Sequence, residues 1–137
     1  MKKMIIAFSA LAMVFVSCKK DEESKAVTPT KENLTGVWMV TSAKISSGGA
    51  SVDMFSSFDA CQKDDKYHFN GDLTYQVEDA GTQCDPSTSS DGTWALTNAT
   101  TINIDGEVGT IDSFDGKNLV VTEDMGNGKM TTTFVKQ

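Results

Sequence analysis

The chain has 137 residues, 12 lysines, no arginine and 19 acidic residues, which give a formal net charge of −7. This length is typical of one domain. An acidic chain without arginine is unsuited to nucleic acid, because it repels phosphate and cannot form bidentate base contacts. A hydrophobic content of 39% with regularly spaced turn signals also excludes a wholly disordered chain.

The first 17 residues have the layout of a secretory signal. Two lysines precede an apolar run over Met4–Val16, which is too short to span a membrane because about 20 residues are needed for that. The run ends in the sequence Phe-Val-Ser-Cys at Phe15–Cys18, which resembles the lipobox of bacterial lipoproteins. In that family the cysteine thiol is lipidated and the chain is cut before it. An ordinary cleaved signal with an incidental cysteine is the alternative.

The lipobox resemblance implies a lipid anchor on Cys18. Several acyl chains bind a membrane stably, since each buried CH₂ contributes about 0.8 kcal/mol. In Cys18–Glu23, lysines precede acidic residues, which resembles surface-exported lipoproteins of Bacteroidetes-type bacteria. A solvated charge cluster without a sorting role is the alternative. We therefore expect an outer-membrane lipoprotein, exposed at the cell surface, whose membrane contact is made through acyl chains on Cys18.

Three segments follow from this interpretation. Residues 1–17 form the signal, and their removal leaves 120 residues with a formal charge of −9. Residues 18–33 are polar, contain Pro29, and are expected to be a flexible tether. Residues 34–137 form the folded domain, which is small enough to benefit from a covalent cross-link.

Cys61 and Cys84 are the two remaining cysteines. In an exported chain they favour a disulfide, and they flank a predicted strand pair whose open end would bring them together. A metal site and a redox pair are the alternatives. The first is disfavoured because His68 is the only histidine, and the second because no Cys-x-x-Cys spacing occurs.

The region after residue 33 is predicted to form eight short antiparallel strands. Thr, β-branched and aromatic residues dominate it, and no long stretch has helical apolar spacing, although Val52–Phe58 is compatible with one helical turn. The predicted strands are Gly36–Ala43, Lys66–Phe69, Leu73–Val77, Thr93–Leu96, Thr101–Ile104, Val108–Phe114, Leu119–Glu123 and Met130–Val135. The turn signals are Asn70–Gly71, Asp91–Gly92, Asp105–Gly106, Asp115–Gly116 and Asn127–Gly128.

The alternation of side chains along the strands predicts which turns contain an extra residue. Tyr67, Phe69, Tyr75 and Val77 share one face only if the Asn70 loop has three residues and a bulge, which pairs Phe69 with Leu73. Two-residue turns at Asp115–Gly116 and Asn127–Gly128 place a further set on one face: Phe114, Leu119, Val121, Met130 and Phe134. Ile102 and Ile104 join this face, together with Val108, if the Asp105–Gly106 turn is also bulged. Ile111, Val120 and Val135 are left on the outer face.

Eight antiparallel strands would expose two edges unless the sheet closes, so an all-β meander closed into a small barrel is expected, with a two-sheet sandwich as the alternative.

The order of the motifs supports a family assignment. The motifs are Leu34–Trp38 with its Gly-x-Trp, Asp59–Cys61, Tyr67–Gly71, Cys84–Asp85, Gly92–Leu96 and Thr101–Ile104. This order resembles the lipocalin-like lipoprotein domains of Bacteroidetes, which implies a non-enzymatic calycin-type barrel that binds an apolar small molecule.

Two functions are compatible with such a barrel. One is a carrier of an apolar or amphiphilic molecule, favoured by an open cavity above about 300 Å³. The candidate lining residues are Trp38, Tyr67, Phe69, Tyr75, Trp94, Val121 and Phe134. The other is a filled barrel that binds a protein or glycan at the cell envelope, favoured by outward Ile111, Val120 and Val135.

No catalytic residue, metal ligand or cofactor is predicted. His68 is expected to point outward, and no nucleophile elbow or phosphate-binding loop accompanies it. Asp64 and Asp65 lack the spacing of a calcium loop and are expected to be solvated.

Overall fold

The computed structural model describes residues 26–137, so the export signal, Cys18 and most of the predicted tether lie outside the described residues. The regular secondary structure of the described chain is mostly β-strand, with three short helical turns. The strands are β1 Gly36–Ser47, β2 Ala50–Asp53, β3 Lys66–Phe69, β4 Thr74–Glu78, β5 Ser90–Asn98, β6 Thr101–Ile104, β7 Glu107–Phe114, β8 Asn118–Asp124 and β9 Lys129–Lys136. The helical turns are α1 Lys31–Leu34, a 3₁₀ turn Phe55–Ser57 and α2 Ala60–Lys63.

The sheet is a closed antiparallel barrel of eight strands. The strand order is β1-β3-β4-β5-β6-β7-β8-β9, and β9 pairs again with β1. β2 is an additional strand that pairs only with β1. The predicted closed meander is therefore confirmed. Within residues 26–137, no helix is long and apolar enough to cross a membrane.

The barrel has two different ends because β1 changes partners along its length. Its first residues, Gly36–Trp38, pair with β3, whereas Lys44–Ser47 pair with β2. Past Trp38, β1 and β3 are no longer paired, and the connection of residues 54–65 fills the space between them, with Met54 N–H donating to the Ala43 carbonyl. We call the end near Trp38 the closed end, and the end near β2 and residues 54–65 the open end.

β2 was not predicted from the sequence. All four of its residues are exposed, so it lacks the alternating burial pattern that identifies a half-buried strand. Only Phe55–Ser57 of the predicted helical turn Val52–Phe58 is helical. Residues before position 34 also contact the barrel, because Val27 N–H donates to the Phe114 carbonyl, and α1 ends at the buried Leu34.

The predicted pairing of Phe69 with Leu73 is wrong, and Phe69 pairs with Tyr75. Asp72 accepts hydrogen bonds from the Thr74 backbone N–H and hydroxyl, which stabilises a longer turn than expected. Leu73 takes a positive φ of 71° there and is 40% exposed. The even register is retained, so Tyr67, Phe69 and Tyr75 still share the inner face.

Asp91–Gly92 is not a turn but part of β5, where Gly92 pairs with Tyr75. The neighbouring Asp105 carboxylate accepts a hydrogen bond from Thr93 N–H, and it occupies the space that a Cβ on residue 92 would need. The glycine is therefore required for close approach of a side chain and not for chain reversal.

The Asp105–Gly106 turn is a tight two-residue turn and not the bulged turn predicted, because Ile104 pairs with Glu107. Gly109 consequently faces the interior in place of Val108, which is 60% exposed. A Cβ on Gly109 would lie 2.5 Å from Val121 Cγ1, so only glycine fits.

A bulge lies instead within β7, between Ile111 and Ser113. It brings both Ile111 and Phe114 inside, so the prediction of an outward Ile111 is wrong: that side chain is 6% exposed.

The faces predicted for the last two hairpins are confirmed, with Phe114 opposite Leu119 and Leu119 opposite Phe134 in the core. The turns themselves are shifted by one residue to Gly116–Lys117 and Gly126–Asn127, since Asp115 N–H donates to the Asn118 carbonyl and Met125 N–H to the Gly128 carbonyl. Both glycines have positive φ, which a two-residue hairpin turn requires.

The predicted disulfide is confirmed: Cys61 in α2 is bonded to Cys84 in the connection between β4 and β5. The same two segments are joined by a hydrogen bond from Thr82 N–H to the Asp64 carboxylate. Both segments lie at the open end, so the cross-link joins two pieces of irregular structure that the sheet itself does not hold together.

We expect the double substitution Cys61→Ser/Cys84→Ser to lower the free energy of unfolding by about 3 kcal/mol, because it frees a loop of 23 residues in the unfolded chain. Urea denaturation followed by the fluorescence of the two buried tryptophans measures this loss. Reduction of the wild-type protein should reproduce it and leave the double variant unchanged. Equal stability of the oxidised wild type and the double variant would contradict the prediction.

Candidate ligand-binding site

The closed end is sealed by Trp38, which is fully buried. Its indole Nε1–H donates to the Leu34 carbonyl at 2.9 Å, which ties α1 across the end of the barrel. Lys136 Nζ lies 5.3 Å from the centre of the Trp38 ring and donates to the Asn33 carbonyl at 2.7 Å. These contacts leave the closed end without an opening for a ligand.

A second layer of aromatic side chains lies above Trp38. Trp94 donates its Nε1–H to the Asn70 carbonyl at 2.9 Å. The rings of Trp94 and Phe69 pack edge to face, with their centres 5.3 Å apart. Val121 is buried in the same core. Trp38, Phe69, Trp94 and Val121 therefore occupy core positions beneath the cavity and do not line it.

Towards the open end the packing leaves a cavity of about 180 Å³. Its wall comes from six strands and from the connection of residues 54–65. The lining residues are Val40, Ala43, Phe58, Tyr67, Tyr75, Ile104, Glu123, Met130, Thr132 and Phe134. The structure thus brings three of the seven predicted lining residues to the cavity, namely Tyr67, Tyr75 and Phe134.

The cavity exists because small side chains meet aromatic ones at this level. Ala43 on β1 pairs with Thr132 on β9, and neither side chain reaches across the barrel. Next to them, Tyr67 on β3 packs edge-on against Phe134 on β9, with ring centres 5.7 Å apart. A bulge between Val40 and Ser42 lets Val40 and Ala43 both face inward.

The two tyrosines bring hydroxyl groups to the cavity. Within residues 26–137, neither the Tyr67 nor the Tyr75 hydroxyl forms a hydrogen bond, and Tyr75 is only 9% exposed. Burial raises the pKa of both phenols, and nearby negative charges act in the same direction. Both groups are therefore neutral at physiological pH and can donate or accept a hydrogen bond.

Glu123 is the charged side chain of the cavity wall, and the sequence analysis missed it. Burial raises its pKa, and the neighbouring Glu107 carboxylate adds to the effect. The signal was available, because residues 119, 121 and 123 alternate along one strand and the first two were predicted to face inward. In the sequence analysis, Glu123 is named only as the last residue of a predicted strand.

The remaining candidates lie away from the cavity. His68 sits on the outer face as predicted, with Nε2 2.8 Å from a carboxylate oxygen of Glu78. The prediction that Asp64 and Asp65 are solvated is wrong for Asp65, which is 3% exposed, and burial raises the pKa of its carboxyl group. The connections around the disulfide fold over Asp65, which explains the burial.

The unpartnered hydroxyl of Tyr75 has a consequence for stability. We expect Tyr75→Phe to change the free energy of unfolding by less than about 1 kcal/mol, because no hydrogen bond to the protein is lost. Thr122→Val is the matched control: its hydroxyl contacts both Asp112 and Thr131, so we expect the larger loss there. Urea denaturation compares the two, and an equal or larger loss for Tyr75→Phe would show that its hydroxyl has a partner in the protein.

A comparison with protein families places these observations in context. The model of a family described as a lipocalin-like domain matches residues 34–133. A search of curated proteins gave no significant match. The matched region covers most of the sequence and contains seven of the eight barrel strands completely, together with every cavity-lining residue except Phe134. The chain therefore belongs to the family of lipocalin-like domains.

Proposed function

We propose that this domain binds a small, largely apolar molecule in the cavity at the open end. The observation that carries the proposal is the cavity itself: about 180 Å³, lined by Phe58, Tyr67, Tyr75 and Phe134 together with aliphatic residues. This volume is below the roughly 300 Å³ of pockets for drug-sized ligands. It is close to the roughly 150 Å³ of an apolar cavity that holds benzene. The expected ligand is accordingly of single-ring size.

A filled barrel that acts as a protein- or glycan-binding module is the alternative. It drew support from three apolar residues expected on the outer face, of which Ile111 is in the core and Val120 and Val135 are half-buried. The cavity is smaller than the roughly 300 Å³ expected for a carrier, and its aromatic and aliphatic lining is the observation that supports a carrier of a small ligand instead. Binding, and not catalysis, is the activity we propose, since the single histidine, His68, is engaged with Glu78 outside the barrel.

Filling the cavity should abolish binding. Ala43 is fully buried in the cavity wall, so Ala43→Leu places extra carbons in the empty space, where they find apolar neighbours. With 2-phenylethanol as a neutral single-ring probe, titration calorimetry should show binding to the wild type and at least about tenfold weaker binding to Ala43→Leu.

The control is Thr41→Leu, which introduces the same leucine side chain at an exposed position of the same strand and should bind like the wild type. Thermal melting establishes that both variants are folded. If a folded Ala43→Leu variant binds the probe as tightly as the wild type, the ligand does not occupy this cavity.

We further propose that the domain is a lipoprotein anchored through Cys18 at the outer surface of the cell. The lipobox-like sequence supports the anchor, and the position of the first described residues supports the orientation of the barrel. Val27, nine residues after Cys18, donates its N–H to the Phe114 carbonyl at the closed end. An anchor that leaves the barrel there directs the open end away from the membrane.

Replacement of Cys18 tests the anchor. We expect Cys18→Ala to move the protein from the membrane to the soluble fraction of host cells, because the acyl chains supply the membrane affinity. The double variant Cys61→Ser/Cys84→Ser, which also removes thiols, should remain in the membrane fraction. Continued sedimentation of Cys18→Ala with membranes would refute lipid attachment at this residue.

A further inference from the structure

The charged groups that face the cavity are all acidic. Glu123 is part of the wall, and Glu107 is close enough to raise its pKa further. Asp105 and Glu123 both contribute negative charge at Tyr75. No lysine or histidine in the described part of the chain lines the cavity. A pocket whose charged groups all have the same sign discriminates between cationic and anionic ligands.

The lysines nearest the open end do not neutralise this charge. Lys44, Lys66 and Lys129 alternate with inward-facing residues of their strands and therefore lie on outward-facing positions. Lys63 in α2 lies over the Phe55 ring at 5.7 Å and donates to the Ser56 carbonyl. Within residues 26–137, Glu123 forms neither an ion pair nor a hydrogen bond.

A second observation points to a ligand at the same place. Tyr75 is more than nine-tenths buried, lines the cavity, and carries a hydroxyl without a partner in the described part of the chain. The neighbouring Tyr67 hydroxyl has the same property. An oxygen of this kind accepts a hydrogen bond from an ammonium group, and the faces of the aromatic rings attract cations.

We propose that the ligand is an apolar amine, a protonated amino group attached to a single ring or a short hydrocarbon chain. The ammonium group is held by the Glu123 carboxylate, and the apolar part packs against Tyr67, Tyr75 and Phe134. This proposal rests on the proposed function and narrows its ligand class. It excludes fatty acids and other carboxylates, since their charge would lie beside Glu123 without a cation to compensate it.

A set of three probes that differ only in the polar group tests the charge preference. They are 2-phenylethylamine, 2-phenylethanol and 3-phenylpropanoate, which are cationic, neutral and anionic at pH 7. In titration calorimetry of the wild-type domain, we expect the amine to bind about tenfold more tightly than the alcohol, as a half-buried charge-assisted hydrogen bond allows. The carboxylate should bind more weakly than both.

Two further measurements assign the preference to Glu123. Glu123→Gln keeps the shape of the side chain and removes its charge, so the affinities for amine and alcohol should become equal. Glu32→Gln is the matched control at the closed end and should leave all affinities unchanged. In the wild type, raising the salt concentration from 50 to 500 mM should weaken the binding of the amine and leave the binding of the alcohol unchanged. This measurement uses only the wild-type protein, so it does not depend on whether a variant folds.

The outcomes separate this proposal from the one on which it rests. Selective amine binding that disappears in Glu123→Gln supports both proposals. Equal binding of amine and alcohol, or tightest binding of the carboxylate, overturns the amine proposal and leaves the carrier function in place. Failure of the folded protein to bind any of the three probes overturns the carrier function itself.

Discussion

The barrel depends on one ladder of backbone hydrogen bonds, the pairing of the first strand with the last. It extends from Trp38 opposite Lys136 to Ser46 opposite Lys129. Without it, β1 and β9 would each present an unpaired edge, and the inner residues of both strands would face water. The ladder also aligns Ala43 with Thr132 and Val40 with Phe134, so the position of the cavity follows from the register of this pairing. Because it joins residues almost a hundred positions apart, it closes the longest loop of the fold.

The strand positions could be predicted because turn residues with positive φ and β-branched or aromatic runs are local signals. Side-chain direction could be predicted only while the alternation was uninterrupted. The predicted direction is correct for Phe114, Leu119 and Phe134, which are separated by tight turns. It failed for Ile111, because the bulge after it lies in mid-strand and no glycine or proline marks it. It also failed at Leu73, where the carboxylate of Asp72 lengthens the turn through hydrogen bonds that the strand pattern does not show.

The site was harder to predict than the fold, for two physical reasons. Large aromatic side chains are candidates both for the core and for a pocket lining, and Trp38 and Trp94 are the residues that fill the barrel most completely. The space remains where the wall is made of Ala43 and Thr132, and small residues give no such signal in a sequence. Glu123 was overlooked because burial of an unpaired carboxylate is unfavourable.

The disulfide has a consequence for the side chain of Phe58. It joins the connection that contributes Phe58 to the cavity wall with the connection that follows the tyrosine-bearing strand β4. The segment that carries Phe58 is thus tied to the barrel covalently as well as through its two flanking strands, and this restricts the conformations open to it in the folded protein. For the proposed carrier, a wall segment that is ordered in advance reduces the entropic cost that a ligand would otherwise bear on binding.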